Sequence, residues 1–334
     1  MDEAAGQSIV AIDLGGTQIR AAHLDAHLHV ADRHATATGA ADGPDAVIAR
    51  IIDLARAVLA DARAADREPP VGVGISSPGP LDPWHGIVGA PPNLPGWHDV
   101  PLAARIEAAV GLPTFLERDT NVAMMAEWRH GAARGADDAV YVTISTGIGG
   151  GIVANGRPLI GRDGTAGEIG HLTVQLDGPL CADGMPGHAE AIGSGAAIAR
   201  EGRALLESGT SPGLLRLTSD PAAIDAALVA RAADEGDAAC REVLDHAWDA
   251  IGAMCAGLVN VLNPEVIVLG GGIGLHRADL RSAVRAGIDR RAFATPARRV
   301  RVEIAEHADD VSLVGLLPIV NERLTDPAYR RSNA

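Results

Sequence analysis

Three clusters of glycine, each directly after a short apolar segment, constrain this chain more than any other feature. They are DLGGT at 13–17, STGIGGG at 145–151 and VIVLGGGI at 266–273. Each apolar segment has the length and residue types of a buried β-strand, and the glycines that follow predict a tight turn at the strand end. The first two clusters each lead into another alternating segment. This weak internal repeat predicts two related α/β halves.

Glycine turns at strand ends are suited to phosphate, because backbone N–H groups there can approach phosphate oxygens. A single turn of this kind is more often only a tight turn. The dinucleotide fingerprint does not fit, since GGGIVA at 149–154 continues into a hairpin closed at Asn155-Gly156. The three turns together, with Asp13 at one and Ser145-Thr146 at another, favour a nucleoside triphosphate.

Lysine is absent from the 334 residues, so all 28 basic side chains are arginine. That absence excludes Walker-type phosphate loops, protein kinases and Schiff-base chemistry, all of which need a lysine. The net charge of −15 disfavours nucleic acid and anionic membranes as partners. The acidic start is unlike a signal peptide, and no apolar run approaches the roughly 18 residues of a membrane span. We therefore expect a cytoplasmic protein.

The three glycine clusters, and five further segments, each resemble part of a known protein family. The glycine clusters resemble the phosphate-1, phosphate-2 and adenosine elements of the actin-like ATPase fold. Over nearly the whole chain, the sequence also resembles the ROK family of bacterial sugar kinases and repressors. The segments that carry this resemblance are, in order, GPLDPWHGIV, APPNLPGWHDVPL, ERDTN, GTAGEIGH and CADGMPGHAE.

The resemblance implies a two-domain α/β fold of the actin-like ATPase (ribonuclease H-like) type, with an active-site cleft between the domains. We expect a small N-terminal domain at 1–118 and a larger C-terminal domain at 119–310. A C-terminal helix at about 311–325 is expected to pack back on the first domain. The resemblance also implies a homodimer or homotetramer.

The activity implied by the resemblance is transfer of the γ-phosphoryl group of ATP, with Mg²⁺, to the exocyclic hydroxymethyl group of a hexose or hexose-like ring. The acceptor is left open among glucose, N-acetylhexosamines, other hexoses, amino sugars and cyclitols. Asp13 is expected to act through magnesium. The other implied nucleotide-binding residues are Gly15, Gly16, Thr17, Ser145, Thr146, Gly147, Gly270, Gly271 and Gly272.

Asp119 is the implied general base, which takes the proton of the acceptor hydroxyl. An aspartate between a strand and a helix is also a good helix N-cap, but the flanking Glu117 and Asn121 favour catalysis. Glu168 and His171 are either ring contacts or polar residues beside a turn, and the segment GTAGEIGH favours ring contact. The full implied sugar-binding set is Gly79, Asn93, Arg118, Asp119, Glu168, His171 and Glu190.

Arg118 departs from the family pattern, in which asparagine commonly precedes the catalytic aspartate. Arginine is larger, permanently charged and a hydrogen-bond donor only. Three alternatives are open: Arg118 clashes with an ordinary hexose, turns into solvent, or pairs with Glu117 or Asp119. If it faces the ring, glucose is predicted to be a poor acceptor.

A second departure lies in the loop CADGMPGHAE. Family kinases usually bind structural zinc with one histidine and three cysteines, whereas here the matching positions hold His171, Cys181, Asp183 and His188. All four residue types can ligate zinc, although two fewer thiolates make the set less soft. Two alternatives are open: a zinc site, or a loop that folds without metal.

A different class of function is a non-catalytic sugar-binding sensor or regulator of the same family. Repressors of the family carry a DNA-binding helix-turn-helix before the first glycine turn. Only twelve residues precede Asp13 here, and the net charge is negative. The presence of Asp13 and Asp119 favours the enzyme.

Overall fold

The structure, a computed structural model, describes residues 7–307 and 310–329. The chain divides into two compact units. Unit 1 lies within Met1–Gly135, Pro158–Ala166 and Glu306–Ala334. Unit 2 comprises Ala136–Arg157 and Gly167–Ala305. The C-terminal segment therefore belongs to the same unit as the N-terminal part of the chain.

The secondary structure alternates between strands and helices. In chain order, the strands are β1 (Ile9–Leu14), β2 (Gln18–Leu24), β3 (Val30–Ala37), β4 (Val73–Ser77), β5 (Leu81–Asp82), β6 (Ile87–Val88), β7 (Thr114–Arg118), β8 (Ala139–Ile144), β9 (Ile148–Ala154), β10 (Arg157–Pro158), β11 (Val266–Gly270) and β12 (Arg301–Ile304). The helices are α1 (Pro44–Ala64), α2 (Leu102–Val110), α3 (Asp119–His130), α4 (Ala189–Gly193), α5 (Gly195–Glu207), α6 (Pro212–Leu217), α7 (Ala226–Asp234), α8 (Ala238–Leu262), α9 (Gly271–His276), α10 (Ala278–Arg291), α11 (Ala294–Arg299), α12 (Val311–Val314) and α13 (Leu316–Arg323).

The two units contain sheets of the same topology. The sheet of unit 1 has the order β3-β2-β1-β4-β7, and that of unit 2 has the order β10-β9-β8-β11-β12. In each, a central strand pairs antiparallel with the strand that follows it and parallel with a later strand. The glycine turns at 13–17 and 145–148 join the corresponding antiparallel pairs. The predicted repeat and the predicted α/β class are confirmed.

Each unit has its own apolar core, formed by the buried face of its sheet and the helices over it. Helix α1 begins at Pro44, a residue favoured at the start of a helix, and buries Val47, Ile51 and Val58 along one face. Helix α3 buries Met124, Met125 and Trp128. Unit 1 includes α3, which the sequence interpretation had placed beyond its boundary at residue 118. No helix within 7–307 and 310–329 is both long and apolar enough to cross a membrane.

Two elements differ from the sequence interpretation. The segment HLHVADRH at 27–34 predicts a strand, but β3 starts at Val30, because the Asp25 carboxylate accepts the N–H groups of His27 and His29 and forms a turn there. The predicted C-terminal helix is divided into α12 and α13 at Gly315. A Cβ placed on Gly315 would lie 1.9 Å from the carbonyl oxygen of Val122, so the helix approaches α3 too closely for any other residue.

Candidate active site

Asp119 lies at the point in unit 1 where β7 ends and α3 begins. Its side chain is exposed, and its Oδ1 accepts the N–H of Thr120 at 2.8 Å. Asp119 is the first residue of the helix, and Arg118 holds the cap position before it. A negative charge in the first turn interacts favourably with the helix dipole. The arrangement presents an accessible carboxylate at a strand end.

A buried network of hydrogen bonds and one ion pair, centred on Glu117, holds this strand end in place. Glu117 is 2% exposed, and its Oε1 accepts the side-chain N–H of Asn121 at 2.9 Å and the backbone N–H of Arg118 at 2.8 Å. Its Oε2 pairs with the guanidinium of Arg323 in α13, which also donates to the carbonyl oxygen of Leu116 at 2.9 Å. The sequence reasoning missed Arg323, since an arginine after Asn321 and Glu322 at the end of a helix looks like an ordinary surface residue.

Arg118 is 3% exposed, so the alternative in which it faces solvent is wrong. Its guanidinium Nη2 donates to the carbonyl oxygen of Ala166. Its stem passes over Gly79, where a Cβ would lie 3.1 Å from the Cδ of Arg118. Its backbone N–H donates to Oε1 of Glu117 at 2.8 Å. Gly79 and Arg118, both predicted sugar contacts, are thus in direct contact with each other.

The first glycine turn joins β1 to β2. The N–H of Gly15 donates to the carbonyl oxygen of Gln18 at 3.0 Å, which closes the turn. A Cβ on Gly16 would lie 3.0 Å from the amide nitrogen of Asn93. The structure therefore brings the predicted sugar residue Asn93 beside the predicted phosphate turn, and Thr17 follows as an exposed residue.

Asp13, at the end of β1, has a cationic partner. Arg20, its cross-strand neighbour in β2, contacts Oδ2 through Nε at 3.1 Å and Nη2 at 2.6 Å. The same Nη2 donates to the hydroxyl of Ser312 at 2.9 Å. The sequence reasoning missed Arg20, although the alternation of β2 and its antiparallel pairing with β1 could have identified it.

The second glycine turn lies in unit 2 between β8 and β9. The N–H of Ser145 donates to the carbonyl oxygen of Gly147 at 2.9 Å. The first turn of α5 binds this turn, because Gly195 and Ala196 donate to the carbonyl oxygens of Ser145 and Thr146 at 2.8 and 3.1 Å. These bonds fix the second glycine turn to the start of α5.

A cavity of about 920 Å³ opens beside this turn. Ser145, Thr146 and Gly272 line it together with apolar residues that the sequence analysis did not single out. These apolar residues come from α5, α7, α8 and α9 and include Ala196, Ala199, Ala230, Trp248 and Ile273.

The three glycines of the last cluster have separate roles. A Cβ on Gly270 would lie 2.1 Å from the hydroxyl of Tyr141, so this glycine allows close packing. Gly271 has a φ of +77° and begins α9 in the left-handed region that favours glycine. Of the three, Gly272 alone lines the cavity.

An ionic network borders the cavity. Arg277 bonds both Asp234 and Asp279, and Trp248 donates its indole N–H to Asp279 at 3.0 Å. Burial alone would raise the pKa of Asp279, but the hydrogen bonds from Arg277, Trp248 and Arg241 hold that pKa well below its ordinary value. The aspartate is therefore ionised at neutral pH and fixes the indole that lines the cavity.

The four candidate metal ligands converge in unit 2 and are called the metal cluster below: His171, Cys181, Asp183 and His188. One ligand atom from each lies within 4.8 Å of all the others. Asp183 Oδ2 lies 3.0 Å from His171 Nδ1 and 3.3 Å from His188 Nδ1. Tetrahedral zinc separates its ligand atoms by roughly 3.3–3.8 Å. The spacing and the residue types fit a tetrahedral metal ion.

The cluster also contacts Glu190. The thiol of Cys181 lies 3.8 Å from Oε1 of Glu190, whose Oε2 accepts the N–H of Ile148 at 2.8 Å. Burial raises the pKa of the Cys181 thiol. The backbone N–H of Met185 and the imidazole of His171 hold the pKa of Asp183 below its ordinary value.

The remaining predicted sugar residues also belong to unit 2. Glu168 is exposed and directly precedes a short 3-10 turn, Ile169–His171. Residues three apart lie on the same side of such a turn, as expected for Glu168 and His171. Unit 1 therefore carries Gly79, Asn93, Arg118 and Asp119, and unit 2 carries Glu168, His171 and Glu190.

Comparison with known sequences finds one family over almost the whole chain. A family model described as "ROK family" matches residues 9–323. The glucokinase of Thermotoga maritima is 33% identical, over 95% of this chain and 98% of the relative. The N-acetylmannosamine kinase of Salmonella typhimurium is 32% identical, over 92% of this chain and 96% of the relative.

Solved structures give the same result. A ROK family glucokinase from Streptomyces griseus, in complex with glucose and AMPPNP, has a TM-score of 0.77 and 28% identity, covering 93% of this chain and 98% of that one. A ROK family transcriptional regulator, a homolog of the E. coli MLC protein, has a TM-score of 0.84 and 26% identity, covering 94% and 78%. The proteins similar to this chain thus include both kinases and a transcriptional regulator.

Proposed function

The chain belongs to the ROK family, and we propose that it transfers the γ-phosphoryl group of ATP to the exocyclic hydroxymethyl group of a hexose or hexose-like ring. The coarser activity, that of an ATP-dependent sugar kinase, follows from the kinase relatives, which are about a third identical over nearly the whole chain. The position of phosphorylation and the identity of the sugar are the proposed part.

The observation that carries the proposal is the accessible carboxylate of Asp119 on a rigidly held strand end. In the proposed reaction, Asp119 takes the proton of the sugar's hydroxymethyl group. The hydroxymethyl oxygen then attacks the γ-phosphorus of ATP, and ADP leaves. The buried pair of Glu117 and Arg323 keeps the base in place.

The nucleotide is proposed to bind at the glycine turns, as the family resemblance implies. The cavity beside Ser145 and Thr146 is large enough for a nucleoside. Mg²⁺ bound with ATP would neutralise charge on the β- and γ-phosphates. Asp13 is proposed to act toward that ion, as the family resemblance implies, since carboxylate oxygens are ligands that Mg²⁺ and its bound waters accept.

The residues proposed as sugar contacts are those that the family resemblance implies, namely Gly79, Asn93, Glu168, His171 and Glu190. The N–H of Ile148 orients the Glu190 carboxylate. His171 directs its Nδ1 to the metal cluster, so its Nε2 is the atom proposed for the ring. These groups suit a polyhydroxylated ring, because carboxylates and imidazoles accept several hydroxyl hydrogen bonds.

A structural zinc ion is part of the proposal. The donors of the metal cluster converge, and their spacing fits tetrahedral coordination. With one thiolate, one carboxylate and two neutral imidazoles, the site carries two negative charges and matches a divalent ion. A cytoplasmic location, where ATP is available, and a homo-oligomeric state stay predictions of the family resemblance.

The test is an ADP-release assay over glucose, mannose, N-acetylmannosamine, N-acetylglucosamine, glucosamine and inositol, with ³¹P NMR of the product. The proposal predicts sugar-dependent ADP release and a phosphate on the exocyclic oxygen. A non-catalytic sensor would bind one of these sugars by calorimetry and release no ADP with any of them. Phosphate on a ring hydroxyl would contradict the proposed position.

A further inference from the structure

Residues 160–166 form a compact loop that belongs to unit 1, although the chain on both sides of Pro158–Ala166 belongs to unit 2. The loop is closed on itself, because the N–H of Ala166 donates to the carbonyl oxygen of Ile160 at 3.1 Å. Gly161 has a φ of +75°, and a Cβ there would lie 2.9 Å from the Cβ of Ala166. Contacts with other residues of unit 1 must therefore hold the 160–166 loop in that unit.

The 160–166 loop has two attachments. The first is steric: Gly164 is buried, and a Cβ there would lie 2.6 Å from the carbonyl oxygen of Leu81 and 2.8 Å from Pro83. The second is polar, from the guanidinium of Arg118 to the carbonyl oxygen of Ala166. Arg118 thus joins the end of the loop to the strand end that carries Asp119.

The geometry of Arg118 suits this attachment. Its stem lies over Gly79 and its head group reaches a backbone carbonyl, which accepts a strong charge-assisted hydrogen bond. An asparagine side chain at this position is too short to span the same path. A lysine has the reach but offers a point charge rather than a planar fork.

We propose that Arg118 is a positioning residue for the sugar kinase reaction, which fastens the 160–166 loop to the end of β7. The inference rests on the proposed function. Glu168 follows Ala166 by two residues, so the attachment sets where the segment with Glu168 and His171 begins. Asp119 has its own support in Glu117, so loss of the attachment weakens sugar binding more than the chemical step.

Limited trypsin digestion reports on the loop directly. Arg162 is 96% exposed and is the only cleavage site for trypsin within 158–166, because Arg157 precedes proline. Intact-mass analysis follows the rate of cleavage after Arg162 in wild type, Arg118→Asn and Arg118→Lys. The control is Arg105→Asn, which removes a surface arginine of the same unit paired with Asp45.

We expect cleavage after Arg162 to be at least about fivefold faster in Arg118→Asn, intermediate in Arg118→Lys and unchanged in the control. With the sugar that gives most ADP in the panel, Arg118→Asn should raise KM about tenfold and change kcat less than about threefold. Equal cleavage and equal KM in folded Arg118→Asn would overturn the proposal.

A second variant keeps the test decisive if Arg118→Asn does not fold. Gly164→Ala leaves Arg118 in place but forces the loop away from Leu81, so it should also speed cleavage and raise KM. Unchanged cleavage and KM in Gly164→Ala would overturn the role of the loop. If no sugar gives ADP even with wild type, the proposed function fails, while the digestion still tests the attachment on its own.

Discussion

The strand end at Glu117–Asp119 and the metal cluster are both charged sites, but they are held in opposite ways. At the strand end, each buried charge meets a named partner from another element, and Glu117 and Arg323 are both at most 5% exposed. In the metal cluster, Asp183 and the two imidazoles contact chiefly one another. The strand end is held by charge pairs within the protein. The metal cluster instead presents ligand atoms that a bound cation would hold together.

The surroundings of the cluster support the same distinction. Its loop exposes Leu176, Leu180 and Met185, with Leu176 at 83% exposure, and so buries little apolar surface. Two isolated bridges, Thr173 to His188 and Leu180 to Pro186, supply its only strand-like pairing in the described chain. A loop that exposes these apolar side chains gains little stability from a core, so we expect a bound ion to add to its order.

The largest effect is expected from breaking the buried pair at the strand end. Arg323→Met leaves Glu117 charged and buried without its partner, which should lower the free energy of unfolding by about 3–5 kcal/mol. Urea denaturation measures the change. The matched control is Arg105→Met, which breaks an exposed pair with Asp45 and should cost under about 1 kcal/mol. Similar losses in the two variants would show that the strand end is not held by this pair.

Metal removal should produce the next largest effect, and only on the cluster. Purified protein is expected to carry about one zinc per chain, and chelation should lower the melting temperature by at least about 4 °C. Asp183→Asn should reduce the zinc content. Asp177→Asn, an exposed aspartate in the same loop, is the control and should retain the metal. If metal-free protein has an unchanged melting temperature, the metal cluster does not need a bound ion for its stability, and the contrast with the strand end is wrong.

A smaller effect is expected at the first glycine turn. Arg20 neutralises Asp13, and without it an unpaired carboxylate would lie beside the turn proposed for phosphate. Arg20→Ala should therefore raise the KM for ATP about five- to tenfold. Arg33→Ala, which breaks the pair with Asp310, is the control and should leave this KM unchanged. An unaltered KM in Arg20→Ala would remove Arg20 from the nucleotide site.

The sequence predicted those features that depend on local pattern. The glycine turns located both antiparallel pairs, and the match to the family's zinc positions named the four residues that converge: His171, Cys181, Asp183 and His188. These signals are local because a turn or a short loop brings together residues that are near in the chain.

Features that depend on distant packing were not predictable. Arg323 pairs with Glu117 across 206 positions, and nothing near either residue indicates the other. Arg118 was singled out, but its partner is a backbone carbonyl, which carries no side-chain signal. Trp248 and Ala230 line the cavity from helices whose periodicity indicates only a core face, since apolar ligand pockets and apolar cores use the same residues.

The central claim is that Asp119 is the catalytic base, and a single variant tests it most directly. In Asp119→Ala, ADP release with the best sugar of the panel is measured alongside the affinity for that sugar by calorimetry. We predict that turnover falls by at least about a hundredfold while the dissociation constant changes by less than about threefold. Turnover close to that of wild type, in folded Asp119→Ala that still binds the sugar, would contradict the account.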